Sequence, residues 1–218
     1  MDRSELAALL NLSEELIAAG RPNRPGSKIN VSFVTMHNTS NPSPGADARA
    51  HSKFVRNTGF YLLENNKKNW VSWHYTVDDT RVIKQLPANE KAYHAGPANS
   101  VSIGVEVCMN QGIDRAAADL RAARLAALLL FDFGLTAAAL RTHKSWTNKK
   151  CPQLLMSHWS GFVKQVEEIR RSITSSSFVE VPEGPSLDEI AKAGEVFDQE
   201  DIDHDELAAA LTAPADGE

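Results

Sequence analysis

The sequence contains no apolar run approaching about eighteen residues, which excludes a conventional membrane-spanning helix. It also lacks an apolar leader. The chain opens Met1-Asp2-Arg3-Ser4-Glu5, so synthesis in the cytoplasm without a signal peptide is expected. Cysteine is scarce: Cys108 and Cys151 are the two thiols, too few for a disulfide framework, and each needs its own explanation. No internal repeat is present. No nucleic-acid-binding motif appears and the basic residues are scattered, which argues against a nucleic-acid partner. The acidic stretch with Asp201, Asp203 and Asp205 is not a calcium loop of the EF-hand kind. Glu206 and Thr212 stand where that loop needs glycine and glutamate.

What is present is an ordinary hydrophobic fraction of 42%, enough for a real core in 218 residues. The net charge of -5 is unevenly divided. From Ser177 onward there are 13 acidic residues and one basic residue, a balance of -12; residues 1–176 hold 22 basic and 15 acidic residues, a balance of +7. A basic body suits an anionic polymer, and the acidic tail could dock on that body or on another partner.

Hydrophobic periodicity predicts a helix over 4–19, then a linker to residue 27. A buried strand over 31–36 ends at His37, and Asp47 caps a helix over 48–57. A hairpin is expected over 72–86 around Asp78-Asp79-Thr80, then a strand over 101–109. Asp114 caps a long helix ending at Gly134, a short strand precedes His143, and Ser157 caps a helix over 158–173. Interleaved strands and helices predict a single α/β domain over 28–173, with a mixed central β-sheet flanked by helices. To it are added an N-terminal helix and linker (1–27) and an acidic tail (174–218), partly helical at 186–193 and 203–211 or disordered.

Two residues stand out for chemistry, His143 and Cys151 in H-K-S-W-T-N-K-K-C-P. Imidazole and thiolate both suit zinc, but their spacing is equally that of a surface histidine and a small buried thiol. His37 shifts the balance, because it stands where a buried strand leaves the sheet, a usual position for a site in α/β folds. Two histidines and one cysteine would leave one tetrahedral position open, the pattern of a catalytic rather than a structural zinc.

Five segments in this order resemble the zinc-dependent N-acetylmuramoyl-L-alanine amidases, a family that includes phage endolysins and animal peptidoglycan-recognition proteins. They are V-T-M-H-N-T around His37, S-W-H-Y-T-V-D-D around His74, Y-H-A-G around His94, N-S-V-S-I-G-V-E-V around Glu106, and the His143–Cys151 segment. The resemblance covers about 28–172. It implies that His37, His143 and Cys151 bind Zn2+ and that Glu106 and Lys149 are catalytic. Glu106 would be the proton acceptor and later donor, and Lys149 would stabilise the oxyanion. It also implies substrate contacts from His94, Asn38, Thr39 and Asn99. Some phage members have a catalytic tyrosine where this chain has Trp73. An indole cannot exchange a proton, so Trp73 is expected to line the groove and stack on a sugar.

The expected function is cleavage of the amide between N-acetylmuramic acid and L-alanine of peptidoglycan. A phage or prophage endolysin acting on the wall after release is the leading setting. A cytosolic recycling amidase, a delivered antibacterial toxin and a non-catalytic peptidoglycan-binding module are the alternatives. Cys108, on the Glu106 strand, reads as a small buried hydrophobe.

Overall fold

The structure is a computed structural model that describes residues 1–174. The expected acidic tail, its helical pieces and its docking lie outside the described residues. A six-stranded sheet forms the centre, ordered β1 (Leu12–Glu14), β6 (Val82–Lys84), β5 (Tyr75–Val77), β7 (Ser102–Val107), β2 (Phe33–Asn38) and β8 (Leu140–Thr142). Strands β5, β7, β2 and β8 run parallel, β6 is antiparallel to β5, and β1 runs parallel to β6. The mixed sheet expected from the interleaved pattern is therefore present. A separate antiparallel hairpin, β3 (Phe60–Leu62) with β4 (Lys68–Trp70), was not foreseen.

Period-two alternation divides the sheet into two faces. Val34 and Met36 of β2, Ile103, Val105 and Val107 of β7, and Tyr75 and Val77 of β5 join one apolar cluster. Helices α3 (Arg115–Asp132) and α5 (Trp159–Ser172) cover it with Ala122, Leu125, Leu129, Phe162 and Val166. Asp114 caps α3 through the Ala117 N–H, as its position before the Ala/Leu run implies. Helix α5 starts one residue later than expected, with His158 rather than Ser157 at its N-cap. On the other face, α2 (Ala48–Asn57) turns Phe54 and Val55 towards Trp73, Leu86 and Ile17. Asp78 joins this side together. One carboxylate oxygen accepts from the Thr80 and Arg81 N–H groups of the β5–β6 turn, and the other from Ala48 N–H at the start of α2.

The N-terminal segment departs from its expected form. Helix α1 covers only Arg3–Ala8, closed by a capping box between Asp2 and Glu5. Asn11 then takes a left-handed φ of 49°, and the chain enters the sheet as edge strand β1. A helix continuing to residue 19 would leave the outer edge of β6 without backbone partners. As built, Glu15 and Ile17 N–H groups extend that pairing to Lys84 and Gln85. Leu6 and Leu10 are fully buried in the main cluster and Ile17 in the second. Leu6, Leu10 and Ile17 thus anchor this segment on the domain. Among the described residues no helix is long and apolar enough to cross a membrane.

Candidate metal centre and active site

The site is built on the sheet face opposite α3. In β7, Ser102, Gly104 and Glu106 alternate with Ile103, Val105 and Val107, so the polar set turns away from the α3 core. In β2, Thr35 and His37 do the same. Register places His37 opposite Glu106, and Glu106 opposite Thr76 of β5. His37 Nδ1 lies 3.8 Å from a Glu106 carboxylate oxygen, and both side chains are fully buried. Glu106 is thus buried in a polar row of its strand. The apolar neighbours Ile103, Val105 and Val107, however, serve the opposite face.

His143 and Cys151 arrive from the segment after β8. The His143 N–H donates to Met36 C=O, carrying the end of β8 beside β2. The four-residue α4 (Lys144–Thr147) follows, and Asn148 closes it with φ 64°. That left-handed residue, which asparagine tolerates well, turns the chain back so that Lys144 N–H reaches Cys151 C=O. The Asn38 side chain fixes the return: it donates to Val107 C=O and accepts from Leu154 N–H.

The result brings the sequence trio together. One donor atom from each of His37, His143 and Cys151 lies within 4.8 Å of the others, and all three residues are buried. Among the described residues, this is the one such cluster of metal-ligating side chains. Cys151 Sγ is 3.8 Å from His37 Nδ1, and the two histidine rings lie 4.7 Å apart between centroids. Burial, and then the charge of Glu106, push the Cys151 thiol above its ordinary range, with the Asn38 backbone and Lys149 opposing. A thiolate so placed needs a cation close by. Two imidazoles and a thiolate fit a borderline-soft divalent metal and not calcium or magnesium, which take oxygen ligands.

Glu106 is the group whose ionisation burial changes most usefully. Desolvation raises its pKa to about 8, against the opposing charge of Lys149. A dication at the cluster would draw it down again, into the range useful for moving a proton near neutrality. Lys149 is half-buried while Lys144 and Lys150 are exposed, and its charge acts on both Glu106 and Cys151. It is therefore the lysine of this loop that the fold directs at the cluster.

The expected substrate contacts fare differently. Trp73 does not line a groove. It is fully buried between Ile17, Phe54 and Leu86, and its indole N–H donates to Thr76 Oγ1. Trp73 precedes β5 and lies outside its alternation, and it packs on the α2 side of the core. His94 is buried against His37: its Nδ1 lies 3.0 Å from His37 Nε2. Burial, with His74 and His143 nearby, holds its pKa well below the usual histidine value. The Asn99 side chain accepts from the His94 and Ala95 N–H groups, so it shapes the loop. Asn38 and Thr39 are also fully buried. In this conformation all of these residues are buried.

Sequence reasoning missed Thr35, Ser102 and Gly104. Thr35 and Ser102 share a hydroxyl hydrogen bond of 2.7 Å, and Trp146 donates to Thr35. The signal was available in S-I-G-V-E-V, where period two puts Ser102 and Gly104 on the face of Glu106. His74 is a structural tie. Its Nδ1 accepts from Gly104 N–H at 2.9 Å, and its Nε2–H donates to Glu90 C=O at 2.8 Å.

A fold of this kind, with two histidines, a cysteine and a glutamate gathered at one side of the sheet, has the makings of a metal-dependent hydrolase. Residues 27–154 match the profile of the N-acetylmuramoyl-L-alanine amidases, and the chain belongs to that family. It is 34% identical to the N-acetylmuramoyl-L-alanine amidase XlyA of Bacillus subtilis (strain 168), over 85% of this chain and 59% of that protein. It is likewise 34% identical to the amidase CwlH of the same organism, over 72% of this chain and 62% of the relative. The chain thus spans about three fifths of the length of these curated relatives. The solved catalytic domain of XlyA superposes with a TM-score of 0.65 at 36% identity, covering 72% of this chain and 99% of that domain.

Proposed function

We propose that this chain is a zinc-dependent peptidoglycan hydrolase. It would cut the amide between the lactyl group of N-acetylmuramic acid and L-alanine, in the setting of a phage or prophage endolysin. The observation that carries the reading is the buried His37–His143–Cys151 cluster, with Glu106 3.8 Å from His37. Residues 27–154, which match the family profile, include all three residues of this cluster.

His37, His143 and Cys151 would hold the zinc, which when bound supplies Lewis acidity towards the scissile carbonyl and the attacking water. Glu106 accepts the proton from that water and returns it to the departing L-alanine nitrogen. The walls around it, Thr76 and Gly104 on the neighbouring positions, are buried and limit access of bulk water. Lys149 carries its charge to the cluster edge, where negative charge develops on the carbonyl oxygen. The +7 balance of residues 1–176 suits an anionic wall polymer.

The test is lysis of purified cell walls followed by turbidity. Lysis that stops with a chelator, returns with zinc and is absent in Cys151→Ala is the expected outcome. Equal lysis by Cys151→Ala or by fully metal-stripped protein would overturn the zinc mechanism. Retained wall binding without any lysis by the zinc-loaded native chain would favour a binding module instead.

A further inference from the structure

Resting on the metal-centre reading, we propose that His94 is a positioning residue that sets the tautomer of the metal ligand His37. In this arrangement His37 offers Nδ1, and not Nε2, to the metal.

The chain of hydrogen bonds permits one proton order. The ring of His94 touches two polar atoms: Nε2 lies 3.3 Å from Ser102 C=O, and Nδ1 lies 3.0 Å from His37 Nε2. A carbonyl oxygen can only accept, so His94 Nε2 carries the hydrogen. The neutral ring then has a lone pair at Nδ1, and His37 must donate to it from Nε2. A neutral His37 with its proton on Nε2 has its remaining lone pair on Nδ1. That atom is the one 3.8 Å from Cys151 Sγ and 3.8 Å from Glu106. Backbone geometry thus decides, two residues away, which nitrogen of the ligand is bare.

The surroundings hold His94 to this pose. Gly104 lies under its ring: a Cβ at that position would come 2.7 Å from His94 Cγ and 2.8 Å from its Nδ1. That separation is well inside van der Waals contact, and the Gly104 backbone cannot yield. Its N–H is held by His74 Nδ1 and its C=O accepts from His74 N–H. The Asn99 side chain fixes the His94 and Ala95 N–H groups from the other side. Ser102 is in turn tied to Thr35 on β2, the strand that carries His37. Glycine at 104 is therefore the space into which the positioning ring fits. Metal-bound histidines generally need a partner on the second nitrogen, which fixes ring orientation and raises ligand basicity. Here that partner is a second histidine and not a carboxylate.

Long-range 1H–15N correlation of the imidazoles in the 15N-labelled full chain reads the tautomer directly, without metal. In the native metal-free protein His37 should be the Nε2–H form. In His94→Phe it should become a mixture, and zinc affinity by chelator competition should fall by about 10- to 100-fold. His94→Gln, whose side-chain carbonyl can accept from His37, should recover part of that affinity. Finding His37 as the Nδ1–H form in the native protein would overturn the proposal without reference to any variant. So would unchanged tautomer and affinity in a folded His94→Phe. Failure of the native chain to bind zinc would contradict the metal centre itself, while the tautomer measurement would still decide the role of His94.

Discussion

Glu106 and Lys149 face the same cluster but answer to different physics. The carboxylate is fully buried and its pKa is pushed up to about 8 by that burial, whereas the ammonium is half-buried on a loop. Glu106→Gln preserves shape and removes the proton acceptor, so it should cut turnover by roughly 10²- to 10⁴-fold with folding intact. Unchanged rates of wall digestion in that variant would remove Glu106 from the chemistry. Lys149→Met should cost about 10²-fold in turnover, whereas Lys144→Met and Lys150→Met, both exposed, should leave it close to native. Equal losses in all three would mean general attraction to the wall and not a placed charge. At this scale the grouping of His37, His143 and Cys151 was legible, because a strand exit and a family register are both written locally. The burial of Trp73, His94 and Asn99 was not. Trp73 packs with Ile17, Phe54 and Leu86, and His94 meets His37, contacts between distant parts of the chain that a short window of sequence does not carry.

The elements were legible where capping residues and periodicity agreed. Helix α2 spans Ala48–Asn57 behind Asp47, as its sequence predicts, and the β5–β6 hairpin lies around Asp78-Asp79-Thr80. The N-terminal segment misled because Leu6, Leu9, Leu10, Leu16 and Ile17 do fall at helical spacing. The edge of β6 offered backbone partners that the local pattern could not reveal. Burial follows accordingly: Leu6, Leu10 and Ile17 are fully buried, while Leu9 and Leu16 are exposed. Leu6→Ala should therefore destabilise the domain by about 2–5 kcal/mol, and Leu9→Ala by much less, in urea unfolding of the full chain. Equal small effects would restore the reading of an appended helix. The same contrast applies to Trp73. Its replacement by alanine should cost about 3–5 kcal/mol of stability as a core residue.

For the whole molecule, buried histidines link stability to pH. His74 has its pKa lowered to about 4, first by desolvation and against its bond to Glu90, and His51 is lowered by burial too. An unfolded histidine titrates near ~6.5, so between that value and about 4 the unfolded chain binds more protons than the folded one. The stabilisation is fully present above ~6.5 and is lost as pH falls towards 4, with His74 alone accounting for roughly 3 kcal/mol. Urea midpoints should fall across pH 6.5 to 5, above the range where ordinary carboxylates protonate. A flat profile there would mean these rings are not held neutral. The charge split gives a second expectation at this scale. Removing residues 177–218 takes away -12 of charge and leaves a body near +7, so binding to purified walls should tighten and become more sensitive to salt. No change in affinity or salt slope would argue against docking of the tail on the domain.

The central claim is that the His37–His143–Cys151 cluster holds a zinc ion that serves amide cleavage. Mass spectrometry of peptidoglycan digested by the zinc-loaded chain and by the metal-stripped chain tests it most directly. Free stem peptides beginning at L-alanine, with the glycan strands intact, should appear with the zinc-loaded chain alone and return when zinc is restored. The same peptides released by the metal-stripped chain, or fragments with a cut glycan, would contradict it.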